Sequence, residues 1–171
     1  MKHLIAVVFI LFFIIPSSAQ EEVNEKATTI YFIRHAEKDR SDKTNRDPHL
    51  KQKGLLRAVK WSTVLEHIQF DRIYSTNYNR TLETARPTAE RNDIDVISMY
   101  DPRDIDGQSF LETNKGKTVL VVGHSNTTPA FVNAILGEEK YPQINDKNNA
   151  NLYIVTISPS GEKSDMLIVV N

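Results

Sequence analysis

The sequence predicts an α/β domain, a three-layer sandwich with a mainly parallel central sheet. Two observations carry that expectation. Short β-branched and aromatic runs alternate with stretches of helical spacing along most of the chain. Thr118-Val119-Leu120-Val121-Val122 is apolar without alternation, the pattern of a strand covered on both faces. A chain of 171 residues fits one domain.

Each element follows in order. Thr28-Thr29-Ile30-Tyr31-Phe32-Ile33 reads as a buried strand. Arg34 to His49 is almost wholly polar and reads as a long loop. Lys51 to His67 has helical spacing at Ala58, Trp61 and Leu65. Asp71 to Ser75 is a short strand, and Tyr78 to Arg91 a helix that Pro87 kinks or ends. Asp95 to Tyr100 is a strand and Arg103 to Thr113 a helix. After the Thr118 strand, Asn126 to Leu136 is a helix stopped by Gly137. Leu152 to Ile157 and Met166 to Val170 form a terminal hairpin.

Composition excludes several classes. The chain has no Cys, which removes disulfides, thiolate metal sites and a cysteine nucleophile. A net charge of −1 argues against a nucleic-acid partner. The apolar residues concentrate at the start, where Leu4 to Ile15 carries no polar side chain. With Lys2 before it and Ser17 and Ala19 after it, residues 1–19 read as a signal peptide cleaved near Ala19. The run spans only ~18 Å as a helix, short of a ~30 Å hydrocarbon core. Residues 20–27 read as a flexible lead-in and 28–171 as a single domain. The expected location is periplasmic or secreted, with no stable membrane insertion once the leader is removed.

In open parallel sheets, ligands sit beyond the carboxyl ends of the strands. Three predicted strands are followed there by Arg34-His35-Ala36-Glu37-Lys38, by Ser75 to Arg80, and by Gly123-His124-Ser125-Asn126. Two histidines and two arginines therefore meet at one edge. Arginine offers a planar fork that binds phosphate bidentately and stays charged. Phosphoryl transfer needs such cationic positioning.

These three motifs, in order and each after a strand, resemble the histidine phosphatase superfamily of phosphoglycerate-mutase-like fold. The Thr-x-x-Thr-Ala run after Arg80, and Tyr100 to Asp104, are similar to its small single-domain bacterial members. The resemblance implies a metal-independent phosphatase, without cofactor, acting on a small phosphorylated substrate. His35 would be the nucleophile and form a phosphohistidine, with one ring nitrogen held by a carbonyl or carboxylate. Arg34, Arg80 and His124 would bind the phosphoryl group, aided by Asn126 at a helix N-terminus.

The proton donor to the leaving group is less defined. Asp101 and Asp104 occupy the right part of the chain, with helix capping as their other role. Glu37, two residues after His35, is a further candidate as acid or orienting group. The basic loop from Lys38 to Lys53 is expected to roof the pocket. The alternatives are a non-catalytic anion-binding module of the same fold, a phosphoglycerate-mutase-type phosphotransferase, and a metal site built on His35 and His124.

Overall fold

A computed structural model describes residues 26–170. The expected leader over 1–19 lies outside the described residues, as does most of the lead-in. The described residues form one six-stranded sheet flanked by four helices. Its elements are β1 (Thr28–Arg34), α1 (Gln52–Val64), β2 (Arg72–Ser75), α2 (Asn79–Arg91) and β3 (Ser98–Met99). They continue with α3 (Gly107–Thr113), β4 (Thr118–Gly123), α4 (Thr127–Leu136), β5 (Asn151–Ile157) and β6 (Lys163–Val169).

The strand order is β3-β2-β4-β1-β5-β6. β1 to β4 are mutually parallel, whereas β5 and β6 run antiparallel to their neighbours. Side-chain alternation along the central strands divides the core. Ile30, Phe32, Val119 and Val121 join Phe131, Val132 and Ile135 of α4 on one face. Ile33, Ile73, Leu120 and Val122 meet Trp61 and Leu65 on the α1 side and Ala85 and Ala89 of α2 on the other face. The result is the expected α/β/α sandwich.

Several boundaries differ from the sequence reading, each for a physical reason. β3 shrinks to two residues because it is an edge strand, paired only through Tyr74↔Ser98 and Ser75↔Met99, with Val96 turned out to solvent. α3 starts at Gly107 because the Asp106 carboxylate accepts hydrogen bonds from the amides of Gln108 and Ser109, at 3.0 and 3.1 Å. Pro87 lies within α2 without ending it. The buried stripe of Thr84, Ala85, Thr88 and Ala89 on both sides of the proline keeps the helix seated on the sheet. α4 ends as expected, with Gly137 in the left-handed region at φ 81°.

Topology then assembles one edge. β1, β2 and β4 are parallel neighbours of β4 or β4 itself, so Arg34, Ser75 and Gly123 end side by side. β5 is antiparallel to β1 and pairs Leu152 with Ile33. The loop entering β5 therefore lands beside the end of β1.

Candidate active site

Arg34 and His35 leave the end of β1 almost fully buried, at 2% and 4% exposure. The His35 amide donates to the Gly123 carbonyl at 2.9 Å, which ties the β1 end to β4. The ring Nδ1 of His35 donates to the Ala36 carbonyl at 2.7 Å. A carbonyl can only accept, so the proton sits on Nδ1 and the lone pair on Nε2. Burial pushes the ring down to about 3, helped by the charges of Arg34, His124 and Arg80 and opposed by the Ala36 hydrogen bond. His35 is therefore a neutral imidazole at pH 7.

His124 faces it with ring centroids 5.4 Å apart. Its Nε2 meets the hydroxyl of fully buried Thr76 at 2.9 Å, which leaves Nδ1 for a ligand. Thr76 is itself held by Thr81 at 3.0 Å. Burial and the charges of Arg80, Arg34 and Lys38 push His124 down to about 4. Tyr78 packs edge-on against the His124 ring, and the Arg80 guanidinium lies 4.3 Å over the Tyr78 ring.

The two arginines are braced from behind. Nη1 of Arg34 donates to the carbonyls of Asn145, Asp146 and Asn148 at 2.8 to 3.1 Å, and Nη2 pairs with Asp146 at 2.8 Å. Nη1 of Arg80 lies 3.4 Å from Asp47. Nε of each is buried without a hydrogen-bond partner among the described residues. Such orphaned charged donors are costly unless an anion meets them.

Two adjoining cavities share Arg34, His35, Lys38 and Asp146 as walls. One, of about 360 Å³, is completed by Tyr78, Arg80, Arg103, His124 and the Ser125-Asn126-Thr127 start of α4. It brings together His35, Arg34, Arg80, His124 and Asn126. The combination of two neutral imidazoles with two fixed guanidiniums suits a phosphoryl group and repels a cation. Among the described residues, no three His, Asp or Glu side chains are grouped to hold a metal ion.

Residues 30–110 match the family model of the histidine phosphatase superfamily, branch 1. The match includes Arg34, His35 and Arg80, so this stretch carries the domain of that superfamily. No protein of curated function matches this chain in sequence. Solved structures match its fold. A mycobacterial glucosyl-3-phosphoglycerate phosphatase is 16% identical with a TM-score of 0.66, covering 85% of this chain and 99% of its own. The protein histidine phosphatase SixA, complexed with tungstate, is 16% identical with a TM-score of 0.66, covering 82% and 96%. A phosphoserine phosphatase from Entamoeba histolytica, in complex with 3-phosphoglyceric acid, is 17% identical with a TM-score of 0.64, covering 84% and 98%. At these identities the likeness is one of fold.

The carboxylates expected as proton donors are placed differently. Asp101 sits on the surface, paired with Arg103 at 2.7 Å, and does not line either cavity beside His35. Hydrogen bonds from Arg103 hold it down at about 2. Asp104 is exposed and lines neither cavity. Glu37 borders the second cavity, but Nε and Nη2 of Arg57 grip it at 3.0 to 3.1 Å. Burial raises its pKa, yet the hydrogen bonds from Arg57 and its own amide, with the charges of Arg57 and Lys53, hold it below the ordinary value. Asp101 and Asp104 thus stand outside both cavities, and Glu37 is taken up by Arg57.

Other contributors had no individual role in the sequence reading. Thr76 and Tyr78 lie inside the second motif, whose spacing could have flagged them. Asp146 and Asn149 had no local signal. The Asn149 amide donates to the His35 carbonyl at 2.8 Å from 114 residues away, through the antiparallel turn into β5. Lys38, Arg40, Lys51 and Lys53 of the expected roofing loop do wall the second cavity. No helix among the described residues is long and apolar enough to cross a membrane.

Proposed function

We propose that this histidine phosphatase hydrolyses phosphomonoesters through a phosphohistidine on Nε2 of His35. The observation that carries the reading is the Nδ1 hydrogen bond to Ala36, which presents a neutral Nε2 lone pair in a cavity walled by Arg34, Arg80 and His124. Phosphatases among the structural neighbours support it.

Nε2 attacks phosphorus, the ester P–O bond breaks, and its electron pair leaves on the alcohol oxygen. The imidazole becomes cationic, and the Ala36 carbonyl strengthens its hold on Nδ1–H. Nε of Arg34 and of Arg80 and Nδ1–H of His124 take the equatorial oxygens, where charge accumulates. Water then attacks phosphorus, the P–Nε2 bond breaks, and phosphate leaves with neutral His35 restored.

Because the cavity carboxylates are ion-paired, the leaving oxygen takes its proton from water. General-acid catalysis is worth roughly 10²–10⁴-fold. Aryl phosphates such as p-nitrophenyl phosphate should therefore turn over faster than alkyl phosphates by a factor of that order. The test is p-nitrophenyl phosphate hydrolysis with EDTA present, with an alkaline denaturing quench to trap phosphoprotein. The expected result is an acid-labile, base-stable phosphoenzyme that His35→Ala abolishes. Phosphate binding without turnover would instead make the chain an anion-binding module. Loss of activity in EDTA would indicate a metal enzyme.

The reading includes export, supported by the apolar Leu4 to Ile15 run. Expression of the full chain in a bacterial host and mass analysis of the periplasmic product should give a mature N-terminus at Gln20. An intact product retained in the cytoplasm would overturn it.

A further inference from the structure

The cavity on the Glu37 side of His35, of about 430 Å³, is too large for a phosphoryl group alone, and the phosphoryl chemistry above uses only its shared wall. Arg34, Lys38, Arg40, Lys51, Lys53 and Lys147 line it, against two carboxylates, Glu37 and Asp146. Both carboxylates are already occupied. Glu37 holds Arg57 and Lys53, and Asp146 uses one oxygen on Arg34 and the other on Arg40, at 2.8 and 2.7 Å. Lys38, Lys51 and Lys147 have no ion-pair partner among the described residues.

The local architecture gathers this charge deliberately from two sides. The Lys51 amide donates to the Glu37 carbonyl at 3.0 Å, and Lys38 bridges Leu50, so the α1 N-terminus is stitched to the segment after His35. The first turn of α1 carries no acidic residue, although helix N-termini favour them. Lys51 and Lys53 stand there instead, an arrangement unfavourable until an anion joins it. Lys38 lies in the wall between the cavities, where burial and the charges of Arg80, Arg40 and Arg34 depress its pKa against the pull of Asp146.

We propose that this cavity is a subsite for a second acidic group of the substrate, held by Lys38, Lys51 and Lys147. The substrate is then a phosphomonoester that also carries a carboxylate or another phosphate. The inference rests on the phosphatase reading, because it places the reacting phosphoryl group against His35.

Binding to the full chain carrying His35→Ala separates the two. Calorimetric titration compares glucose 6-phosphate with 6-phosphogluconate, which adds a carboxylate, and fructose 6-phosphate with fructose 1,6-bisphosphate, which adds a phosphate. The expected result is roughly tenfold tighter binding of the diacid in at least one pair, an advantage that shrinks with salt. The pair that shows it identifies the acidic group. Adding Lys51→Gln with Lys147→Gln should collapse that ratio. Equal binding within both pairs, or a ratio untouched by the lysine substitutions, overturns the subsite and leaves the phosphatase reading standing. Failure to bind any of the four esters overturns the phosphoryl site and the subsite with it.

Discussion

At the residue scale, the chemistry depends on which nitrogen of each imidazole is free. A single hydrogen bond decides this in each case: Nδ1 of His35 donates to the Ala36 carbonyl, and Nε2 of His124 is engaged by the Thr76 hydroxyl. Thr76→Val keeps the shape and removes the hydroxyl. A net hydrogen bond is worth about 0.5–1.5 kcal/mol, so kcat should fall by up to about tenfold while KM changes little. Steady-state kinetics with a melting curve checks this. An unchanged kcat would show that Thr76 does not position His124.

At the element scale, α1 matters for the site because of how closely it approaches the strand leaving β1. A Cβ on Gly54 would stand 2.3 Å from the Glu37 carbonyl oxygen, a backbone atom that cannot yield cheaply. Gly54→Ala should therefore push α1 away, cost roughly 1–3 kcal/mol, and lower activity by disturbing the segment after His35. Leu56→Ala, on the exposed face of the same helix, should change stability by less than about 0.5 kcal/mol. Urea denaturation of the two variants checks the contrast. The glycine's role was not legible in the sequence, because only the fold brings the Glu37 backbone against it. By contrast, Val119–Val122 and the Gly137 stop were legible, because burial on both faces and a left-handed cap leave local signatures.

At the scale of the whole molecule, folding buries two histidines among fixed positive charges. Their folded pKa values, about 3 and about 4, lie below the ordinary 6.5. The unfolded chain thus binds more protons between those values, and stability falls as pH drops from 6.5 towards 4. Above pH 6.5 both states are neutral at these rings and the dependence vanishes. Urea midpoints across this range should decline for the native chain and decline less when both His35 and His124 are replaced by Asn. Equal decline in both would show that the rings are not the source.

The α/β class, the strands β1, β2 and β4, and the motifs around His35, Arg80 and His124 were determined by the sequence itself, because periodicity and residue chemistry within a few positions suffice for them. Contacts across the fold decided the rest. The antiparallel entry of β5 delivers Asp146 and Asn149 to the end of β1, and no local pattern encodes a partner more than 100 residues away. Tertiary packing also decided the state of the carboxylates. Asp101 and Glu37 were plausible acids by position, but whether a carboxylate carries a proton depends on the charges that folding sets beside it. Here folding set Arg103 beside one and Arg57 beside the other.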